Sequence, residues 1–118
     1  MTVRSKIGKL MVAAKVQPPL DQIVRKIIDA LHPRRIVLFG SRARGTARLD
    51  SDVDLMIIME TKLRPLERMR RVYELCRGRD FSMDVVVYTP AEFAEQRQYR
   101  NSLATVVDRE GKVLYEQP

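Results

Sequence analysis

Short β-rich runs separated by helical stripes are the feature of this sequence that most restricts its fold. Before and between these runs, apolar residues recur every three or four positions. This is the period of a helix that packs on one face. The runs are too short and too apolar to be surface helices, so we interpret them as strands. They cover residues 36–39, 53–59 and 83–88. Helices alternating with short strands predict an α/β fold, a small sheet with helices packed on it.

Prolines and capping residues mark where the predicted helices begin and end. The first helix is expected to start at the Pro18–Pro19 pair and to end before Pro33, because proline fits a first turn but not a helix interior. Its apolar stripe contains Leu20, Ile23, Val24, Ile27, Ile28 and Leu31. Thr89 is a plausible N-cap for a helix that has Pro90 at its first position.

A second long helix is predicted over residues 65–77. Its inward stripe contains Leu66, Met69, Val72, Tyr73 and Cys76, and its arginines at 68, 70, 71 and 77 are expected to lie largely off that stripe. One more short helix is expected around residues 103–107. Gly111 then leads into residues 112–115, which we interpret as an edge strand or an extended tail.

The length of 118 residues predicts one domain. We assign residues 18–118 to it and residues 1–17 to an N-terminal arm or short helix. That arm mixes basic with apolar side chains, so it is a candidate docking surface.

A net charge of +7 fits either a solvated basic surface or an anionic partner, and nucleic acid, a nucleotide or an acidic protein would each suit as that partner. Cys76 is the single cysteine, which excludes an intramolecular disulfide and a multi-cysteine zinc site. We expect its thiol to be buried in a helix. The chain has neither a signal-type apolar segment nor a run of roughly 18 apolar residues, so we expect a cytoplasmic protein with no membrane partner.

The segment from Phe39 to Leu55, FGSRARGTARLDSDVDL, contains a turn suited to phosphate. Gly40 permits a sharp bend and a close approach to a ligand. If a short helix begins at Ser41, its free N–H groups and its dipole would attract an anion, and the hydroxyl could add a hydrogen bond. Three arginines follow, at positions 42, 44 and 48. Arginine suits bidentate phosphate contacts, and we expect one or two of the three, Arg42 and Arg44 first, to bind nucleotide.

Three aspartates supply the second half of the candidate site. Asp52 and Asp54 leave the same face of a strand, with Cα atoms about 6.6 Å apart. Such carboxylates repel each other unless a cation lies between them, and Mg²⁺ prefers carboxylates together with substrate phosphates. Asp84 lies within an apolar strand, where an unpaired acid is costly unless it faces water at a sheet edge. If the strands of Asp54 and Asp84 are neighbours, two ions about 3.5–4 Å apart could be held.

These residues resemble the DNA polymerase β-like nucleotidyltransferase superfamily, whose signature is Gly-Ser, ten residues and then Asp-x-Asp. Here Gly40-Ser41 is followed by the ten residues 42–51 and then by Asp52-Val53-Asp54. Asp84 stands where the family has its third carboxylate. The small size and the ending EGKVLYE look like the minimal nucleotidyltransferases, many of which are antitoxins paired with a HEPN-domain toxin.

The resemblance implies a mixed sheet flanked by helices, two Mg²⁺ ions and a nucleoside triphosphate. Gly40 and Ser41 would hold the β- and γ-phosphates, and Asp52 and Asp54 would bind both metals. Asp84 would bind the catalytic metal and assist deprotonation of the acceptor hydroxyl. By analogy with the antitoxins, the reaction would transfer AMP from ATP to a tyrosine of a partner toxin, with which the chain would form a hetero-oligomer.

Two other functions fit parts of the sequence. The chain could be an antitoxin that has lost its chemistry and neutralises its partner by binding alone. It could also bind nucleic acid through its positive charge, although an arginine-rich turn beside three acids favours a triphosphate–metal site. The sequence leaves open the base of the donor, the acceptor, the number of nucleotides transferred and the oligomeric state.

Overall fold

The structure, a computed structural model, describes residues 18–48 and 51–118. The predicted N-terminal arm, residues 1–17, lies outside the described residues. Helices and strands alternate along the described chain as far as β3, and two helices then precede the last strand. In order they are α1 (Pro18–Leu31), β1 (Arg35–Phe39), α2 (Ser41–Arg44), β2 (Val53–Ile58), α3 (Pro65–Leu75), β3 (Met83–Tyr88), α4 (Pro90–Gln96), α5 (Leu103–Glu110) and β4 (Lys112–Glu116).

The four described strands form one mixed sheet in the order β3-β2-β1-β4. Strand β1 is antiparallel to both of its neighbours, whereas β2 and β3 are parallel. The last segment, for which the sequence left an edge strand or a tail open, is the edge strand β4, and its pairing with β1 shifts register between Ile36 and Val37. The mixed sheet expected from the resemblance is confirmed.

Helices cover both faces of the sheet because the strands are apolar on both sides. Helices α1 and α3 pack on one face, in a core that includes Ile27, Leu55 and Val72. Helices α4 and α5 pack on the other, against the alternate strand residues, in a second core that contains Val37, Met56, Ile58, Phe93, Ala104 and Val107. The structure therefore has three layers, and the strand residues alternate between two cores.

The helix termini follow the predicted signals with small shifts. Helix α1 ends before Pro33, and His32 closes it with φ 48° and a backbone N–H donated to the carbonyl of Ile28 at 3.0 Å. Thr89 and Glu92 form a reciprocal capping box at the start of α4. The second long helix ends at Leu75, two residues before the predicted end.

Arg68 corrects one sequence-based expectation. It was expected to lie off the inward stripe of α3, yet it is only 5% exposed. Its guanidinium forms a bidentate pair with Glu92 at 2.7 and 3.2 Å and donates to the carbonyls of Leu63 and Val87. A long side chain can extend across a helix flank to a partner on another element, and helical periodicity does not reveal that partner.

Candidate functional site

The turn after β1 is built around Gly40. Its φ of 76° and ψ of −157° lie in a region that other residues rarely adopt. A Cβ atom on Gly40 would overlap Oδ2 of Asp54 and would lie 3.1 Å from its Cγ. A side chain at position 40 would therefore displace the carboxylate of Asp54, and glycine is required by both backbone and space.

A single helical turn follows at Ser41–Arg44, so the condition that a short helix begins at Ser41 is met. The backbone N–H groups of Ala43 and Arg44 both donate to the carbonyl of Gly40 at 3.1 Å. The backbone N–H of Ser41 precedes these bonds, and a donor at the first position of a helix has no partner within that helix. Because Gly40 lies against Asp54, the turn brings the start of α2 close to that aspartate.

The sheet places Asp54 and Asp84 on one face at one end, and Asp52 lies just before β2. Asp54 is paired with Phe39 of β1 on one side and with Asp84 of β3 on the other. Neighbouring strands lie about 4.8 Å apart and paired residues share a face, so Asp54 and Asp84 are adjacent. Asp52 lies two residues before Asp54, outside β2, and its charge acts on Asp54. The condition set from the sequence, that the two aspartate-bearing strands be neighbours, is met.

The electrostatics of Asp54 reflect this crowding. Burial raises the pKa of its carboxyl above the ordinary value, the negative charges of Asp84 and Asp52 raise it further, and Arg44 opposes them. The carboxylates thus repel each other, and Arg44 lies close enough to act on Asp54. A cation between the acids would relieve the repulsion.

Asp84 differs in burial from one expectation. The apolar residues around it in the sequence suggested a costly buried acid, but its side chain is exposed because β3 is an edge strand of the described sheet. The alternative of an edge residue facing water is the correct one. Exposure leaves the carboxylate accessible to a metal or a substrate.

The donor set fits Mg²⁺ by its chemistry. Among the described residues, no three acidic, histidine or cysteine side chains are already gathered into a coordination cluster. Mg²⁺ does not need such a cage, because it commonly binds one or two carboxylates together with substrate phosphates. Asp52, Asp54 and Asp84 could hold it in that way, and their role as ligands stays a prediction.

Arg42 holds the chain just before Asp52. Its Nε and Nη2 donate to the carbonyl of Ser51 at 3.2 and 2.8 Å. Ser51 in turn accepts the backbone N–H of Arg48 on its hydroxyl at 2.7 Å. Two of the Arg42 nitrogens are therefore engaged with the backbone, and its predicted contact with nucleotide stays a prediction.

Tyr73 is the residue near the site that the sequence analysis interpreted as core alone. The ring does pack against the α1/α3 core, but the hydroxyl donates to the carbonyl of Met83 and accepts the N–H of Val85, both at 3.1 Å. These residues flank Asp84. The sequence contains a signal for this hydrogen-bonding role. Tyr73 lies in a stripe whose other residues are aliphatic or contain sulfur, and a buried phenol usually finds a polar partner.

Comparisons with known proteins identify the family and the fold of the chain. A family model described as nucleotidyltransferase domain matches residues 20–109. A search of curated proteins finds no match. Three similar solved structures have the same fold.

The first is a protein from Sulfolobus solfataricus assigned as a nucleotidyltransferase, with a TM-score of 0.62 and 19% identity over 98% of this chain and 87% of that one. The second is a toxin–antitoxin with AMP-PNP, with a TM-score of 0.61 and 25% identity over 81% of this chain and 72% of that one. The third is a mutant of the toxin–antitoxin MntA-HpeT in which two aspartates are replaced by glutamate. It has a TM-score of 0.58 and 21% identity over 81% of this chain and 71% of that one.

Proposed function

The chain belongs to the nucleotidyltransferase domain family, and we propose that it transfers AMP from ATP to a tyrosine hydroxyl of a partner HEPN-type toxin. One observation carries the proposal. The carboxylate of Asp54 lies against Gly40 on one side and beside Asp84 on the other. The Gly40 turn, which we expect to bind phosphate, is therefore continuous with a pair of acids.

The residues of this surface match the needs of nucleotidyl transfer. The acceptor oxygen attacks the α-phosphorus of ATP, the bond to the bridging oxygen breaks, and pyrophosphate leaves. This chemistry depends on positioning and on charge neutralisation more than on a protein nucleophile. Mg²⁺ held by the aspartates would neutralise charge on the phosphates and the leaving group.

The chain's own groups have separate roles in this proposal. Gly40 and Ser41 bind the β- and γ-phosphates through their backbone and the Ser41 hydroxyl, and Arg44 contributes positive charge beside them. Asp52 and Asp54 hold the metals. Asp84, which is exposed, accepts the proton of the acceptor hydroxyl and helps to hold the catalytic metal.

The similar structures support the choice of donor and acceptor. One was crystallised with AMP-PNP, an adenine nucleotide, and two are toxin–antitoxin structures. In the MntA-HpeT mutant, the two aspartates that are replaced lie two residues apart. Asp52 and Asp54 have the same spacing. A second protein as acceptor also suits a small domain in which Asp52 and Asp84 are exposed to solvent.

Intact-mass spectrometry of the partner tests the proposal. A HEPN-type protein encoded beside this chain would be incubated with it, Mg²⁺ and each nucleoside triphosphate in turn. We expect an added mass of one AMP unit, or a short series, with ATP, and none with Asp54→Asn. Mapping the modified peptide should locate the added mass on tyrosine.

The control is a binding measurement with the same two proteins. If Asp54→Asn still forms the complex but transfers nothing, the loss is chemical. A stable complex that shows no added mass even with the unmodified chain would overturn the proposal and leave neutralisation by binding alone.

A further inference from the structure

Asp84 lies on β3, an edge strand of the described sheet, where another described strand holds the backbone from one side only. Val53 donates to the carbonyl of Ser82 at 2.9 Å, and Met59 donates to that of Tyr88 at 3.0 Å. The backbone N–H and C=O groups of successive residues in a strand point to opposite sides. Those of the even-numbered residues of β3 therefore point toward β2. Met83 and Val85 therefore turn theirs outward, away from the sheet.

The hydroxyl of Tyr73 occupies that outer side at the position of Asp84. It donates to the carbonyl of Met83 and accepts the N–H of Val85, each at 3.1 Å. One oxygen thus bridges the two peptide groups on either side of Asp84. The backbone of that residue is held by β2 from one side and by Tyr73 from the other.

The ring that carries this hydroxyl is itself fixed in place. Tyr73 lies on α3 and packs against the core shared with α1. The guanidinium of Arg79 lies over the ring, with its carbon 5.5 Å from the ring centroid. A rigid ring is what a positioning role requires, because a mobile phenol would not restrain the strand.

We propose that Tyr73 is a positioning residue that sets the place of Asp84 for nucleotidyl transfer. The inference rests on the proposed function, in which Asp84 accepts the acceptor proton and holds metal. Tyr73 touches neither substrate nor metal in this scheme, and it acts through the backbone of β3. Small displacements of a catalytic group are costly, since reacting atoms need close alignment.

The substitution Tyr73→Phe removes only the bridging oxygen. We expect kcat for AMP transfer to fall about tenfold while KM for ATP stays within about twofold, because the phosphate-binding turn lies on β1 and α2. Amide hydrogen exchange gives a readout independent of activity. The N–H of Val85 should exchange at least about tenfold faster, because its acceptor is gone.

Tyr115→Phe is the matched control. Tyr115 is fully buried in the same core, and its hydroxyl has no hydrogen-bond partner among the described residues. Its loss should leave both kcat and the exchange of Val85 unchanged. Far-UV circular dichroism would check that both variants are folded.

The outcomes separate this inference from the proposed function. If the unmodified chain and Tyr115→Phe transfer no AMP, the proposed function fails, and the exchange of Val85 alone reports on the bridge. If both transfer AMP and Tyr73→Phe does so equally well, the positioning role is overturned. Equal falls for Tyr73→Phe and Tyr115→Phe would also overturn it, since they would indicate a general effect on the core.

Discussion

Single atoms decide how the two halves of the candidate site meet. At Gly40, the absence of a Cβ lets the carboxylate of Asp54 approach the turn that is expected to bind phosphate. At Ser51, a carbonyl oxygen receives two hydrogen bonds from Arg42. Both contacts join residues that flank the loop between α2 and β2, so they set its two ends relative to each other.

Gly40→Ala should lower activity at least about 100-fold, because the new methyl group displaces a carboxylate proposed to hold metal. It should also lower the free energy of unfolding by about 1–3 kcal/mol, the usual cost of an unfavourable backbone conformation. Gly45→Ala is the control. Its φ is also positive, at 79°, but no atom lies within 4 Å of the new Cβ. Urea unfolding and transfer assays on both variants separate displacement from strain, and equal activities would contradict this account.

Arg42→Lys distinguishes holding the loop from binding phosphate. A lysine keeps the charge but cannot reproduce two hydrogen bonds from one planar group. We expect kcat to fall about tenfold with KM for ATP little changed, since the contacts with Ser51 favour the loop-holding role. Steady-state kinetics would measure both constants. A selective rise in KM would instead assign Arg42 to the nucleotide.

At the scale of elements, one buried side chain forms hydrogen bonds with three other parts of the chain. Arg68 of α3 contacts Glu92 of α4, the carbonyl of Val87 in β3 and that of Leu63 before α3. Glu92 also closes the capping box with Thr89. The pair therefore connects the layers on opposite faces of the sheet at the carboxyl end of β3.

This pair should make stability depend on pH in the acid range. The hydrogen bond from Arg68, followed by that from the backbone of Thr89, lowers the pKa of Glu92 below its ordinary value of 4.5. Ionised Glu92 therefore stabilises the fold above that value, and the contribution is lost as the pH falls through the lowered pKa. Glu92→Gln should be less stable than the unmodified chain at pH 7, with a difference that shrinks toward pH 3. Urea unfolding across this range would measure it, and a constant difference would contradict the assignment.

Over the whole molecule, both faces of the sheet are covered, yet one end of the α4/α5 face is left to the aspartates. None of the described helices is long and apolar enough to cross a membrane.

The stability of the fold is linked to what binds at the end of the sheet that carries the aspartates. Repulsion between three nearby acids opposes folding until a cation binds between them.

This linkage predicts opposite effects of Asp54→Asn with and without ligand. Without metal, the variant should unfold at a higher urea concentration, because a partly buried and repelled charge is removed. With Mg²⁺ and AMP-PNP at a hundredfold excess over Kd, the unmodified chain should gain about 2.7 kcal/mol. EDTA should reverse most of that gain, and Asp54→Asn should show little of it. An equal gain in both proteins would argue against a metal role for Asp54.

The sequence by itself determined the first three strands, the helix starts and the family, because these depend on periodicity, capping residues and a motif within about 15 consecutive positions. It identified Asp52, Asp54 and Asp84 as candidates but could not show that Asp54 and Asp84 are paired, since that requires the strand order. The tertiary structure alone decided the exposure of Asp84, the burial of Arg68 and the bridge from Tyr73. Each depends on contacts between elements, and a residue's own neighbours in the chain do not specify which distant backbone groups it will meet.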